Sequence, residues 1–236
     1  MENNVSIIMP MHNPNGVLLK YIHDMLDQQN YDGEVEILEI EEGLGLAASM
    51  NYGIRQAKYD TIVTLHQDCI PTSNEWLHEL VEPLKDPMTV ATCSDVFDLE
   101  LKKVYTPGLN GKGCAYKKKA LIEVGLYDEK TFLNSGEDVD MHEKLKKIGN
   151  IGYPHCIIDH DHPGYLKASG YKKLQNANSW GCLIRRYGTS LKGWWKPVVL
   201  ANIFNFKYCY WFYRGFILAP PFQLTITIQT NGCIIF

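Results

Sequence analysis

Thr61-Ile-Val-Thr-Leu-His-Gln-Asp68 is the stretch on which the reading of this chain turns. Thr61 to Leu65 is a short β-branched and apolar run, too brief for a helix and uniform enough for a strand buried on both faces. It stops at three polar residues, His66, Gln67 and Asp68. Working outward, Val5-Ser-Ile-Ile-Met9 is a second such run, halted by Pro10, Asn13-Pro14 and Asn15-Gly16, and Val35 to Ile40 is a third. Between them, Val17 to Gln29 places Leu18, Tyr21, Ile22, Met25 and Leu26 at helical spacing. The glycine-rich start at Gly43 becomes helical through about Ala57. Strands alternating with helices predict an α/β fold with a mostly parallel central sheet and helices on both faces. Ligands of such sheets sit beyond the carboxyl ends of the strands, where Pro10 to Asn13, Glu39 to Glu42 and His66 to Asp68 all fall.

The rest of the chain continues the pattern. Glu75 to Leu84 reads as a helix with Trp76, Leu77, Leu80 and Val81 on its apolar side, and Thr89 to Val96 as one strand. Lys112-Gly-Cys-Ala-Tyr116 brings a strand near the crevice; Ala120 to Val124 is a short helix ending at Gly125. Glu137 to Ile148 is a helix whose first turn is acidic, as its dipole prefers, and Cys156 to Ile158 is a further strand before Asp159-His-Asp-His162. Two features then stand out chemically: a carboxylate at a buried strand end, Asp68, and an acidic cluster, Gly136-Glu-Asp-Val-Asp140. The first can hold a divalent cation against a phosphate, and the second can supply a general base.

Composition narrows the partners. The formal net charge is −4 and the pI near 6.1, which argues against nucleic acid as a partner. Seven cysteines without a C-x-x-C pair argue against a disulfide framework and fit a reducing, cytoplasmic setting. No basic flank and apolar core of a signal peptide opens the sequence. The length suits one catalytic domain over residues 1–190 with an aromatic-rich tail over 191–236. In that tail Trp194, Trp195, Phe204, Phe206, Tyr208, Tyr210, Trp211, Phe212, Tyr213 and Phe216 are interrupted by Lys196, Lys207 and Arg214. Such a pattern is too polar to span a bilayer; it suits either a peripheral contact with the cytoplasmic membrane face or packing on the catalytic domain. Leu224 to Ile228 alternates like an edge strand.

The residues carry a resemblance over roughly 4 to 165. Val5 to Asn13 resembles the opening strand and Pro-x-x-Asn turn of the family 2 glycosyltransferases, which have an A-type, Rossmann-like nucleotide-sugar-binding fold. Gly45-Leu-Ala-Ala-Ser-Met-Asn51 resembles their glycine-to-asparagine helix start. Leu65-His-Gln-Asp68 with Pro71 and Trp76 resembles their metal-binding strand end, and Gly125-Leu-Tyr-Asp128 with Gly136 to Asp140 their acceptor-side acidic motif. The resemblance implies an inverting, metal-assisted transfer from a nucleotide diphosphate sugar to a hydroxyl of a glycan or lipid-linked acceptor. It implies Mn²⁺ or Mg²⁺ on Asp68 and His160, with His162 the alternative histidine. It places Pro10, His12, Asn13, Glu41, Asn51, His66, Gln67 and Asp68 around the donor, Glu39 being the reserve for Glu41. Asp138 is the expected general base and Glu137 the second candidate, while Gly113, Cys114, Asp140 and Trp76 fall on the acceptor side.

Two departures are visible. His66 stands where the family carries the first acid of a D-x-D pair, and Glu39-Ile-Glu-Glu-Gly43 replaces its two acids and Gly-Ser. Two other classes share part of the pattern. A nucleotidyltransferase would want a basic phosphate loop near the N-terminus, and Pro10 to Gly16 has no Lys or Arg. A catalytically inactive sugar-binding or scaffold module would release no nucleotide diphosphate from any donor.

Overall fold

The computed structural model describes residues 3–12, 16–41, 45–106, 108–132, 135–162, 170–191 and 206–218. Strands β1 (Val5–Pro10), β2 (Val35–Ile40) and β3 (Thr61–Leu65) pair in parallel, with helices α1 (Gly16–Asp27) and α2 (Leu46–Gln56) as the crossovers. Val5, Ile7, Ile8 and Met9 have no exposed surface, because β1 lies at the middle of this half and is covered on both faces. Ile22 and Leu26 of α1 close one face of the sheet with Val5, Ile7 and Met9, and Met50 and Ile54 of α2 close the other with Ile8.

The expected helix from Glu75 is shorter. Helix α3 spans Trp76–Val81 and tightens into a 3₁₀ turn over Glu82–Lys85, where Pro83 offers no N–H to continue the α ladder. The stretch read as a single strand, Thr89 to Val96, divides in two. Strand β5 (Thr89–Cys93) belongs to the central sheet, whereas β6 (Asp95–Asp98) belongs to another. The switch takes one peptide: Ser94 N–H donates to Gly113 O, and Asp95 N–H donates to Cys156 O, both at 2.9 Å.

Strand β8 (Gly113–Lys117) pairs antiparallel with β3 and β5, completing with β9 (Asn150–Gly152) a six-stranded sheet in the order β2-β1-β3-β8-β5-β9. Three of its five pairings are parallel, so the mostly parallel expectation holds. The reversal of β8 matters for the site. It sets Gly113, the first residue of β8, opposite Leu65, the last of β3, so the loop before β8 opens on the crevice.

The second sheet was not visible in the sequence. It runs β4-β10-β6-β7, with β4 (Cys69–Pro71), β7 (Lys103–Tyr105) and β10 (Ile157–His160) joining β6. Helices α4 (Lys118–Glu123) and α5 (Glu137–Leu145) follow, then α6 (Gly170–Tyr187), a long helix the sequence reading passed over. Helix α7 (Phe206–Leu218) from the aromatic tail packs along α6 through two glycines. A Cβ on Gly181 would lie 2.0 Å from Phe212 O, and one on Gly215 would lie 1.9 Å from Asn178 O, so only glycine permits this approach. This packing ties the described part of the tail to the helix before it, across the boundary expected at residue 190. No helix among the described residues is long and apolar enough to cross a membrane. Trp194, Trp195, Phe204 and the strand expected at 224–228 lie outside the described residues.

Candidate active site

The carboxyl ends of β1, β2 and β3 face one crevice because the three strands are parallel. At the β1 and β3 ends, His12 N–H donates to Gln67 Oε1 at 2.7 Å and Gln67 Nε2 donates back to His12 O. This reciprocal amide clip fixes the two loops against each other. Gln67 therefore works on the backbone of its neighbouring loop, a role the sequence did not show. Pro10 ends β1 beside Ile40, and Asn13 lies outside the described residues. Glu39 is exposed and takes a 2.6 Å contact from His23 Nε2 of α1, while Glu41 is exposed just past the end of β2.

Asp68 sits where the two sheets meet. Cys69 opens β4 and pairs with His160 of β10, which in turn pairs with Asp98 of β6. Cross-strand partners share a face, so Cys69, His160 and Asp98 form a row beside the Asp68 carboxylate. His162 Nδ1 lies 2.9 Å and His160 Nε2 3.5 Å from Asp68 Oδ2, and the two rings stack at 5.6 Å. Behind them, Asp98 Oδ2 lies 3.6 Å from His160 Nδ1, while Asp98 Oδ1 accepts from the N–H groups of Glu100 and Leu101. Burial alone would raise the Asp68 pKa. Hydrogen bonding to His160, the charge of His66 and hydrogen bonding to His162 outweigh it and hold the carboxyl well below its ordinary range. Asp68, Cys69 and His160 each present a ligand atom, all within 4.8 Å of one another, so the group fits a divalent cation.

His66 points its Nε2 into a buried position without a hydrogen-bond partner, 3.3 Å from where a Cβ on Gly111 would stand. Gly111 has φ +72°, so both backbone and space there call for glycine. Burial pushes the imidazole pKa down to about 4, and His66 is neutral at pH 7.

The acidic motif divides into three environments. Asp140 has no exposed surface: Arg186 Nη1 lies at 3.0 Å, Tyr187 Oη at 2.6 Å and Lys144 Nζ at 2.8 Å. Arg186 also reaches Asp128 and Thr131, so Asp140 anchors α6 to the body of the domain. Glu137 is buried, its Oε2 has no partner, and burial with the neighbouring Asp138 charge pushes its pKa up to about 8. Asp138 is partly exposed, its Oδ1 accepts from Val139 N–H at 2.7 Å, and burial raises its pKa. The Lys112 ammonium acts electrostatically on His66, on Cys69 and on Asp138, which brings the loop before β8, the Asp68 centre and the acidic helix into one neighbourhood.

Four other expected site residues lie buried in the fold. Trp76 is fully buried and its Nε1–H donates to Ser94 Oγ at 2.9 Å. Asn51 is buried, donates to Tyr127 O and Glu129 Oε2 at 2.8 and 2.9 Å, and accepts from Tyr127 N–H at 2.9 Å. Cys114 is fully buried within β8, facing Cys93 at 3.5 Å, and Gly113 is buried beside it. Cys69, Asp98 and Lys112 were not singled out for the site in the sequence; the adjacency of Cys69 to Asp68 was the one signal available.

Residues 28–119 match the family described as glycosyl transferase family 2. The resemblance to family 2 glycosyltransferases holds. Two solved structures share the A-type fold. One is described as GalNAc-T7 with UDP, GalNAc and Mn²⁺, at 16% identity and TM-score 0.59, covering 84% of this chain and 49% of that one. The other is the mannosyltransferase PcManGT from Pyrobaculum calidifontis with GDP-Man and Mn²⁺, at 17% identity and TM-score 0.61, covering 91% and 73%. The chain thus spans about half the length of the first glycosyltransferase. No curated protein sequence matches the chain.

Proposed function

We propose that this family 2 glycosyltransferase fold moves a sugar from a nucleotide diphosphate sugar to an acceptor hydroxyl, with inversion at the anomeric carbon. The observation that carries the reading is the Asp68 carboxylate at the β3 end, flanked by His160 and His162, with Lys112 acting on its neighbours His66 and Cys69 and on Asp138. Asp68 and His160 would hold the divalent cation, Mn²⁺ as in both solved relatives or Mg²⁺, with the donor diphosphate against it. When bound, the cation neutralises charge developing on the leaving diphosphate. Lys112 adds a second positive charge on the same side. Asp138 accepts the proton of the acceptor hydroxyl as its oxygen bonds to the anomeric carbon, and the bond from that carbon to the diphosphate oxygen breaks with its electron pair. Burial raises its pKa, which makes it a stronger base toward that proton. Glu137 keeps its own proton at pH 7 and serves as a neutral neighbour.

A glycan or lipid-linked acceptor at the cytoplasmic membrane face belongs to this reading through α7, where Tyr210, Tyr213 and Ile217 are more than half exposed on one side. The direct test is Asp68→Asn, which conserves shape and removes charge. Titration calorimetry with UDP- and GDP-sugars should show Mn²⁺-dependent donor binding in the parent and none in the variant, with unchanged thermal unfolding in EDTA. Equal metal-dependent affinity in both would remove Asp68 from the donor site.

A further inference from the structure

Building on the metal-assisted reading of Asp68, we propose that Cys69 supplies a thiolate to the same cation, making an O/N/S centre that selects Zn²⁺ or Co²⁺ over Mg²⁺. The geometry starts from the sheet register. Cys69 and His160 are directly opposed partners on antiparallel strands, so Sγ and the imidazole emerge side by side next to Asp68. Sγ lies 3.5 Å from Asp68 Oδ1, and His160 Nε2 lies 3.5 Å from Asp68 Oδ2. Ligand atoms on a tetrahedral Zn²⁺, with bonds of about 2.0–2.3 Å, stand roughly 3.3–3.8 Å apart. Each separation is close to that spacing, on different oxygens of the Asp68 carboxylate, and one ligand atom from each of the three residues lies within 4.8 Å of the others.

The surroundings fit as well. His160 has the Asp98 carboxylate near its other nitrogen at 3.6 Å, placed to orient the ring once a short closure makes a hydrogen bond there. His162 stands at the partly exposed side of the group, where a fourth position opens to solvent or to donor diphosphate. Three protein ligands with one open position is the pattern of a catalytic rather than a structural zinc site. Mg²⁺ asks for oxygen ligands in an octahedron, and one carboxylate beside sulfur and imidazole offers it little. As the Sγ–metal bond forms, the thiol proton leaves to solvent, so binding releases one proton at Cys69.

The test uses the full chain stripped with a chelator and titrated with Co²⁺ alone. Binding should bring tetrahedral visible bands together with a near-ultraviolet thiolate-to-Co²⁺ charge-transfer band. In Cys69→Ser the charge-transfer band should vanish while Co²⁺ still binds, and the Zn²⁺ preference over Mg²⁺ should fall at least tenfold. X-ray absorption of the Zn²⁺-loaded parent needs no variant and should show one Zn–S path at about 2.3 Å. Co²⁺ bound with no charge-transfer band, and Zn²⁺ bound through light atoms only, would overturn the thiolate and leave the Asp68 reading standing. A charge-transfer band that survives in Cys69→Ser would place the sulfur on another cysteine and overturn it too. Failure of the parent to bind Co²⁺, Zn²⁺ or Mn²⁺ at all would overturn both.

Discussion

Glu137→Gln should stabilise this protein, and by an amount that grows with pH. The Glu137 side chain is buried, Oε2 lacks a partner, and the pKa is pushed from 4.5 to about 8, first by burial and then by Asp138. Between those two values the folded state keeps the proton and the unfolded state gives it up. The folded state therefore binds more protons, and stability falls as pH rises through the window. At about 1.4 kcal/mol per pH unit the whole gap is worth roughly 5 kcal/mol, of which about 4 kcal/mol falls between pH 5 and pH 9. For a chain of this size that corresponds to a melting shift of roughly 8–16 °C. The amide removes the titration while conserving shape, so the variant should melt close to the parent at pH 5 and well above it at pH 9. Thermal melts of both proteins in EDTA at pH 5, 7 and 9 make the comparison, and titrating groups away from Glu137 and its coupled neighbour Asp138 cancel in the difference. A gap between the two curves that does not change with pH would mean Glu137 is ionised in the fold, and the assignment of a neutral Glu137 beside a basic Asp138 would fail with it.

The base itself is tested by Asp138→Asn, which should lower turnover by roughly 10²–10⁴-fold with little change in donor affinity, measured by single-turnover kinetics and calorimetry; a crippled Glu137→Gln beside a competent Asp138→Asn would reverse the two roles. Arg186→Met should cost about 3–5 kcal/mol in urea unfolding, because Asp140 and Asp128 lose a guanidinium that is itself nearly buried; a loss under 1 kcal/mol would show the clamp to be dispensable. For α7, Tyr210→Ser with Tyr213→Ser should reduce flotation of the full chain with anionic liposomes without lowering the melting temperature; equal flotation of parent and variant would leave α7 only its packing role on α6.

The parallel half of the fold was legible because β1 and β3, covered on both faces, leave short apolar runs, and the edge strand β2 is a third short run, interrupted by Glu36 and Glu39. Val35 to Ile40 and Thr61 to Leu65 begin and end where the sequence places them. The second sheet was not legible for a related reason. Thr89 to Val96 carries no Gly or Pro, and the polar pair Ser94-Asp95 is too short an interruption to mark where the chain passes from one sheet to the other. Strands β4, β7 and β9 are three residues each, below the length at which alternation can be seen. Helix α6 escaped because most of its residues are polar, and its buried stripe of Ala177, Cys182 and Leu183 is broken by Gly181.

In the site, residue type predicted which side chains matter near the crevice, while register decided what each one does. Asp68 stood out as a carboxylate at a buried strand end and His160 through its match to the family pattern, and the fold sets the two side chains 3.5 Å apart. Asp98 could not be: a buried aspartate capping the Glu100 and Leu101 amides looks like any turn residue until β6 is laid parallel to β10. Asn51 shows the converse. Its amide lies at a helix start that the family uses, yet both its atoms are spent on holding the Tyr127 to Glu129 turn against α2. That turn leads through Asp128 to Arg186 and from there to Asp140, so a chain of hydrogen bonds joins α2 to the first turn of the acidic helix. Asp138 lies one residue beyond Glu137 on that helix and two before Asp140. Asn51 and Asp140 thus hold the segment that carries Asp138, and loss of either should displace Asp138 before it unfolds the domain.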